Sequence, residues 1–307
     1  MWLLESFAHA NDTLGVAAQA VVLTHDPVAF ARKAPHLAAR ADLKFVAGDV
    51  RTFSFPVGRF AYAIHAATEV SAKLNNEAPQ EMLDAIIGGT RRVLAFAAQA
   101  GVKKLLLTSS GAVYGKQPPE LTHIPEDYPG APDPLLASSA YGEGKRIAEH
   151  MCAVHGGQHG YAVKVARCFA FVGPHLPIDS HYAIGNFIRD ALRGDPIRVN
   201  GDGTPTRSYL YASDLAIWLW TILFRGQSAR AYNVGSVKDL SIAELAGVVN
   251  RALNQSSPVK ILQKAEPGRP ISRYVPAVAR AESELGLKKR IPLVDAIRRT
   301  ALWHHSA

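Results

Sequence analysis

In the first half of the chain, short apolar runs rich in β-branched residues alternate with amphipathic stretches of helical spacing. This alternation predicts a doubly wound α/β fold, because parallel strands need long crossover connections and helices supply them. The predicted strands are Ala20–Thr24, Phe45–Ala47, Tyr62–His65, Leu105–Thr108 and Ala162–Arg167. The predicted helices include Trp2–Ala10, Pro79–Ala100 and Tyr141–His155, the last ended by Gly156-Gly157.

After about residue 168 the pattern becomes less regular. Asn200–Gly203 is a turn cluster, Arg207–Tyr211 is predicted as a strand, and Ser241 with Glu244 forms a capping box that opens a helix. We therefore predict two domains, residues 1–168 and residues 169–307. The second is a smaller α/β substrate-binding domain, partly interleaved with the sheet of the first.

Composition narrows the class of protein. Of 307 residues 48% are hydrophobic and 20% are charged, which is usual for a globular enzyme. The formal net charge of +8 is scattered along the chain, which indicates a solvated basic surface, with attraction for nucleic acid or for anionic ligands such as nucleotide diphosphates as the alternative. No nucleic-acid partner is expected. Cys152 and Cys168 form neither a disulfide framework nor a metal-binding spacing, so no metal is expected. This use of cysteine fits a reducing cytoplasm. The longest apolar stretch, Leu215–Phe224, is too short to span a bilayer, so we do not expect a membrane protein.

Tyr141 and Lys145 stand four residues apart on a predicted helix, so the phenol and the ammonium share one face. A cation about 5 Å from the phenol is worth roughly 3 kcal/mol at an effective dielectric constant of about 20. That is enough to make a tyrosine a general base near neutral pH. Ser110, at the end of a predicted strand, is a candidate for a hydrogen bond to the same substrate oxygen. A Tyr–Lys pair on a solvated helix face is the alternative interpretation.

Several short motifs together carry a resemblance to a known family. They are GDV (48–50), HAA (65–67), TSSGAVYG (108–115), YGEGK (141–145) and TRSYLYASDLA (206–216). In combination the chain resembles the extended short-chain dehydrogenase/reductases, and within them the NAD-dependent epimerase/dehydratase branch that acts on nucleotide sugars. The resemblance implies a Rossmann-type fold, NAD as cofactor with NADP possible, a nucleotide-diphosphate sugar as substrate, and a homodimer.

The resemblance also implies roles for individual residues. Ser110, Tyr141 and Lys145 would be the catalytic residues, with Tyr141 as the acid/base and Lys145 also holding the nicotinamide ribose. The residues expected around the cofactor, besides Tyr141 and Lys145, are Asp49, Val50, Ala66, Ala67, Thr108 and Phe169. The residues expected around the substrate, besides Ser110, are Asn186, Phe187, Ile197, Val199, Arg207 and Arg269. Arg207 would grip the diphosphate, and its alternative role is a salt bridge to Asp202 or Asp214.

Some positions depart from the family pattern. Dehydratases of this branch carry Asp-Glu directly after the catalytic hydroxyl, where this chain has Gly111-Ala112, which argues against 4,6-dehydration. Ile86 and Ala170 stand where the family often has Asn. The resemblance also implies a first strand and a glycine-rich loop before Trp2. We expect either that the start of the chain is misassigned or that it is a truncated relative.

The leading hypothesis is an epimerase that oxidises a sugar hydroxyl transiently, with a nucleotide-sugar 4-ketoreductase or a 4,6-dehydratase-like enzyme as alternatives. A truncated, non-catalytic nucleotide-sugar-binding module is the alternative from another class. In the family, members that prefer NAD usually end the second strand of the sheet with an acid, and that place holds Thr24-His25-Asp26 here, at the end of the predicted strand Ala20–Thr24. Asp26 is a candidate for binding the ribose hydroxyls of NAD, and His25 for binding the 2′-phosphate of NADP.

Overall fold

Strands and helices alternate through most of the computed structural model, which describes residues 1–67, 72–180 and 182–306. The strands are β1 (Ala20–Thr24), β2 (Leu43–Ala47), β3 (Tyr62–His65), β4 (Lys104–Ser110), β5 (Ala162–Cys168), β6 (Phe171–Val172), β7 (Ile197–Val199), β8 (Thr206–Ser208), β9 (Leu210–Tyr211), β10 (Arg230–Val234), β11 (Asp239–Ser241), β12 (Val259–Ile261) and β13 (Arg273–Tyr274). The helices are α1 (Trp2–Leu14), α2 (Pro27–Lys33), α3 (Pro35–Ala38), α4 (Ala72–Glu77), α5 (Pro79–Ala100), α6 (Ala140–His159), α7 (Ala183–Arg193), α8 (Ala212–Arg225), α9 (Ile242–Leu253), α10 (Ala279–Leu285) and α11 (Leu293–Ser306).

The chain divides into two compact units, each made of several segments. The first contains residues 1–109, 133–165 and 220–230, and the second contains 110–132, 166–219 and 231–307. Residues 110–132 precede the predicted division at residue 168 but belong to the second unit, and residues 220–230 follow it but belong to the first. The two units therefore alternate along the chain.

The sheets of the first unit are built from parallel strands. β1 pairs with β2 from Ala20↔Leu43 onward, and β3 pairs with β4 from Tyr62↔Lys104 onward, both parallel. Strand β4 lies inside a sheet of order β10–β5–β4–β3, separate from the β1–β2 pair. This is a Rossmann-like α/β fold, as the alternation of elements predicts. That a further strand and a glycine-rich loop belong before Trp2 stays a prediction.

Helices α5 and α6 pack closely against each other in the first unit. Gly144 allows this approach, because a Cβ there would lie 2.9 Å from Cδ1 of Ile86. Ile86 is 1% exposed, so the residue that replaces the family's frequent Asn is part of the helix–helix core.

Helix α6 continues past the point where the sequence predicts its end. Gly156-Gly157 lies inside the helix, which closes at Gly160 in the left-handed conformation. A Cβ at Gly156 would lie 2.6 Å from Cγ2 of Val163 and 3.0 Å from the carbonyl oxygen of Tyr161. The glycine therefore serves close packing on the following strand rather than helix termination.

The second unit contains short strands and the helices α7, α9 and α11, which pack together. β8 lies between β11, which is antiparallel to it, and β13, which is parallel to it. The predicted strand Arg207–Tyr211 is wrong in its extent. It is interrupted at Tyr209, because β8 pairs within this sheet whereas β9 pairs with β6. The capping box that opens α9 forms as predicted between Ser241 and Glu244.

None of the helices in residues 1–67, 72–180 and 182–306 is long and apolar enough to cross a membrane.

Candidate active site

Tyr141 and Lys145 lie in the first turns of α6, in the first unit. The Lys145 ammonium nitrogen lies 5.9 Å from the centroid of the Tyr141 ring. It also donates a hydrogen bond of 2.9 Å to the carbonyl oxygen of Thr108, near the end of β4. Lys145 is only 3% exposed, so its cation is held by the strand in a site with little water. A cation in such a place stabilises negative charge on the neighbouring phenol.

A side chain from α4 fixes the start of α6. Ser139, the N-cap residue, makes no side-chain capping hydrogen bond. Instead, Asn75 accepts a hydrogen bond of 2.9 Å from the backbone N–H of Tyr141 and donates one of 2.9 Å to the carbonyl of Ser138. Asn75 therefore satisfies a donor that the first turn of a helix leaves open. Sequence reasoning missed this residue, since its partner is 66 positions away.

His65, which ends β3, is buried at 4% exposure. Its Nε2 lies 3.1 Å from the hydroxyl of Thr90, and its carbonyl accepts a hydrogen bond of 3.2 Å from Thr108. Burial, and then the charge of Lys145, lower the pKa of His65 to about 3. The imidazole is therefore neutral near pH 7. Its Nδ1 is buried and has no hydrogen-bond partner among the described residues.

The residues predicted around the cofactor follow the carboxyl ends of their strands. The Asp49 carboxylate is held by the Arg51 side chain at 2.5 Å and by the Arg51 backbone N–H at 2.7 Å, which lowers the pKa of Asp49 to about 2. The Val50 side chain is buried against α5, where a Cβ at Gly89 would lie 2.7 Å from it. Ala66 and Ala67 are exposed just after β3.

Ser110 belongs to the second unit, where it ends β4 and is 6% exposed. Its Oγ accepts a hydrogen bond of 3.1 Å from the N–H of Ala112 and lies 3.3 Å from the Tyr274 hydroxyl. The Tyr274 ring packs on Phe169 with 4.6 Å between centroids. Phe169, predicted beside the nicotinamide, thus stands beside Ser110 in this unit. Tyr274 was not predicted, because nothing local in the sequence connects it to a residue 164 positions earlier.

A cavity of about 230 Å³ opens in the second unit between α7 and the loop after β7. Three predicted substrate residues, Asn186, Phe187 and Val199, line it, together with Arg198 and Asn200 among others. The predicted residue Ile197 does not line this cavity in the described part of the chain, and its side chain is fully buried.

Arg207 lies on β8 with its guanidinium bound to the carbonyls of Thr206 and Ser272, at 2.8 and 3.2 Å. Burial lowers the pKa of Arg207. The alternative of a salt bridge is wrong in the described residues: Asp202 accepts from Thr204, and Asp214 accepts from the backbone after α10. Arg207 is thus a half-buried cation whose hydrogen-bond partners are neutral.

Arg269 does not take up a comparable position. Its side chain is 66% exposed and lies 3.7 Å from the carboxylate of Glu266. It does not line the cavity of the second unit. A role of Arg269 in substrate binding stays a prediction.

Comparison with known proteins identifies a matching family model and related sequences. The model of the family described as "NAD dependent epimerase/dehydratase family" matches residues 14–235. UDP-glucuronic acid decarboxylase 5 of Arabidopsis thaliana is 32% identical over 233 residues, which is 76% of this chain and 67% of that protein. Across the curated relatives that match, the chain spans between about half and two thirds of their length.

Solved structures share the fold. UDP-glucose 4-epimerase of Thermotoga maritima, solved with UDP-glucose, superposes with a TM-score of 0.82 at 19% identity and covers 100% of this chain and 96% of its own. A dTDP-glucose 4,6-dehydratase of Streptomyces venezuelae, solved with NAD, superposes with a TM-score of 0.83 at 22% identity and covers 99% and 93%.

Proposed function

Because the chain belongs to the NAD dependent epimerase/dehydratase family, we propose that it is an enzyme that epimerises a nucleotide-linked sugar with NAD as cofactor. The observation that carries the proposal is the pair on α6, in which the buried ammonium of Lys145 lies 5.9 Å from the Tyr141 ring and is anchored on Thr108. A buried lysine beside a tyrosine is costly to keep in a protein that does not use its charge.

The residues present fit NAD. Ala66 and Ala67 are small and exposed, so the backbone after β3 is open to a ligand. The preceding His65 keeps a buried ring nitrogen without a partner in the described residues. Asp49 remains ionised because Arg51 lowers its pKa, and it stands after β2, on the side that would receive the adenine. We assign these residues and Lys145 to the cofactor, and retain NADP as the second choice.

The chemistry follows from what each side chain is able to do. Bound NAD supplies an acceptor that takes a hydride from the sugar carbon and later returns it. Tyr141 removes the proton of the same carbinol, and Lys145 stabilises the phenolate before the transfer. Ser110 donates a hydrogen bond to a sugar oxygen. Return of the proton from Tyr141 to the carbinol oxygen, after the ketone has presented its other face, would complete an epimerisation without net use of cofactor.

Substrate binding is assigned to the second unit. Arg207 is a half-buried guanidinium held by neutral carbonyls, and guanidinium pairs well with the diphosphate of a nucleotide sugar. The cavity between α7 and the loop after β7 offers the amides of Asn186 and Asn200 and the ring of Phe187, which suit a nucleobase. A solved neighbour with this fold holds UDP-glucose.

Decarboxylation of a nucleotide-linked uronic acid is the second candidate, favoured by the 32% identity to a UDP-glucuronic acid decarboxylase. Oxidation of the hydroxyl on the carbon next to the one that bears the carboxylate, with NAD as the acceptor of the hydride and Tyr141 as the acceptor of the proton, would give a β-keto acid. The C–C bond would then break, carbon dioxide would leave, and the electron pair would be held as an enolate that takes up a proton. Return of the hydride to the remaining ketone would leave the cofactor unchanged. The step needs the same Tyr141 and Lys145 and no additional acid at position 111.

Product analysis separates these candidates. The chain is incubated with NAD and, separately, with UDP-glucose and UDP-glucuronic acid, and products are followed by NMR together with absorbance at the reduced-nicotinamide band. Epimerisation gives a stereoisomer with no net reduced cofactor. Decarboxylation releases carbon dioxide from the uronic acid only, and ketone reduction consumes reduced cofactor.

The variant Tyr141→Phe tests the role of the phenol, with Tyr62→Phe, an exposed tyrosine of the same unit, as the matched control. We expect Tyr141→Phe to lower turnover by at least about 100-fold, because general acid–base catalysis contributes about 10²–10⁴. Full activity of Tyr141→Phe would refute the proposal. So would a failure of the chain to bind NAD at all, which is the result expected of a non-catalytic module.

We also infer a homodimer formed by α5 and α6 of two copies. Ile147 and Val154, one heptad apart on α6, are exposed at 39% and 44%, and a contact between copies would cover them. Sedimentation equilibrium that shows a monomer at high concentration would contradict this.

A further inference from the structure

A tyrosine outside every motif of the sequence reaches the catalytic serine. Tyr274, on β13, places its hydroxyl 3.3 Å from Oγ of Ser110 and 3.4 Å from the carbonyl oxygen of Cys168. Its ring is held by Phe169, 4.6 Å away between centroids. The phenol therefore has a fixed direction, set by a strand and a packed aromatic neighbour rather than by a loop.

Hydrogen-bond capacity limits what Ser110 does. A serine hydroxyl has one hydrogen and two acceptor positions. The N–H of Ala112 already occupies one acceptor position at 3.1 Å. The Tyr274 phenol has a single hydrogen, for which Oγ of Ser110 at 3.3 Å and the carbonyl oxygen of Cys168 at 3.4 Å are both acceptors. Whichever of the two hydroxyls donates, the contact between Tyr274 and Ser110 fixes the direction of the Ser110 hydroxyl. Catalytic hydrogen bonds are often long before substrate binds and shorten in the complex, so the 3.3 Å distance is compatible with this role.

We propose that Tyr274 is a positioning residue that holds the hydroxyl of Ser110 in one orientation toward the substrate, and that Tyr274 and Phe169 together keep position 111 free of any side chain. A hydroxyl that is already oriented at the reacting oxygen stabilises the charge that develops there without reorganisation during the reaction. This inference rests on the proposed function, since it assigns to Ser110 the task of binding the oxygen that Tyr141 deprotonates.

The second part of the proposal is steric. A Cβ at Gly111 would lie 2.7 Å from Cε1 and Cζ of Phe169 and 2.8 Å from the Tyr274 hydroxyl oxygen. Real Cβ atoms do not approach this closely, and a ring buried in a packed cluster is not free to move aside. The two rings therefore exclude an acid from the position after Ser110. Without that acid, a keto-sugar formed by the enzyme lacks the proton source that elimination of water requires from this position.

The test is a double-mutant cycle on turnover with Tyr274→Phe, Ser110→Ala and the combined variant. We expect Tyr274→Phe to lower kcat about tenfold, which is ~1.4 kcal/mol, and to change KM by less than about twofold. In the Ser110→Ala background the same change should have less than about a twofold effect, because Tyr274 then has nothing to position. Tyr128→Phe is the matched control, since Tyr128 packs on the same aromatic cluster and should leave kcat unchanged.

Equal effects of Tyr274→Phe in both backgrounds would overturn the proposal, as would an unchanged kcat in the single variant. The same four proteins are compared by urea unfolding, which needs no turnover. We expect a coupling of about 3- to 10-fold in the unfolding equilibrium constant between positions 110 and 274. No coupling there would overturn the proposal even if no substrate is found. Failure of the proposed function is recognised separately, by full activity of Tyr141→Phe.

Discussion

Replacing Lys145 by methionine removes the charge of the pair on α6 while keeping a side chain of similar length. The size of the effect is worked from the observed distance. With the 5.9 Å between the Lys145 ammonium nitrogen and the centroid of the Tyr141 ring taken as the separation of the charges, a unit charge is worth about 3 kcal/mol at an effective dielectric constant of about 20. Because this energy favours the phenolate, its loss should lower kcat/KM about 100-fold near neutral pH. The loss should shrink as the pH rises and the phenol ionises without help.

The assay is the pH profile of kcat/KM for Lys145→Met against the unaltered protein. Lys164→Met is the matched control, because Lys164 is another buried lysine of the first unit, at 5% exposure, and has no assigned role. An independent readout is the imidazole of His65, whose pKa is held low by burial and by Lys145. Removal of the cation should raise the pKa of His65, which NMR detects. If Lys145→Met keeps a kcat/KM within about fivefold of the unaltered protein at neutral pH, the electrostatic reasoning is refuted.

Three further predictions concern binding and stability. Arg207→Met should weaken binding of UDP by about 10- to 100-fold in calorimetry, whereas Arg207→Lys should retain part of the affinity, because a charge-assisted hydrogen bond is worth about 1.5–3 kcal/mol. Burial lowers the pKa of His65 to about 3, so between about pH 6.5 and pH 3 the unfolded chain binds a proton that the folded chain does not. The free energy of unfolding should therefore decrease by about 1.4 kcal/mol for each unit by which the pH falls in this range, and less steeply in His65→Gln, as urea unfolding would show. Gly157→Ala should stabilise α6 by about 1 kcal/mol, because nothing lies within 4 Å of the position that a Cβ would take there. Gly156→Ala should instead destabilise the protein by about 1–3 kcal/mol, because a Cβ there would lie 2.6 Å from Cγ2 of Val163. Thermal unfolding measures both changes.

Local patterns predicted the elements well because their causes are local. The capping box between Ser241 and Glu244 forms, and helix α5 begins and ends at the predicted residues, Pro79 and Ala100. The end of α6 was predicted wrongly for the converse reason. Whether a glycine stops a helix or permits close packing depends on the neighbour, and at Gly156 that neighbour is Val163 on the next strand.

The candidate site likewise contains residues that local spacing predicted and residues that only the fold brings to the site. Tyr141 and Lys145 were predictable, because four residues on a helix fix which face they share. Asn75 and Tyr274 were not, because they act on Tyr141 and Ser110 through contacts that span 66 and 164 positions. A side chain that reaches the site only through the fold cannot be recognised from the residues around it in the sequence. Motif residues such as Ser110 nevertheless indicate where in the structure to look for such partners.

The ionisable groups around the candidate site give a reason to prefer epimerisation or decarboxylation to dehydration. His65 is neutral, because its pKa is lowered to about 3, and Gly111 and Ala112 carry no ionisable group. Loss of water from a keto-sugar requires a base at one carbon and an acid at the leaving hydroxyl. Hydride transfer out and back needs one phenol that takes up and returns a single proton. Loss of carbon dioxide from a β-keto acid needs one further proton for the enolate, which solvent water supplies. If Tyr274 and Phe169 keep an acid away from position 111, this limit is built into the packing of the protein. Restoring the acid would then require the simultaneous replacement of both rings, and Gly111→Asp alone should cost stability without producing a dehydrated sugar.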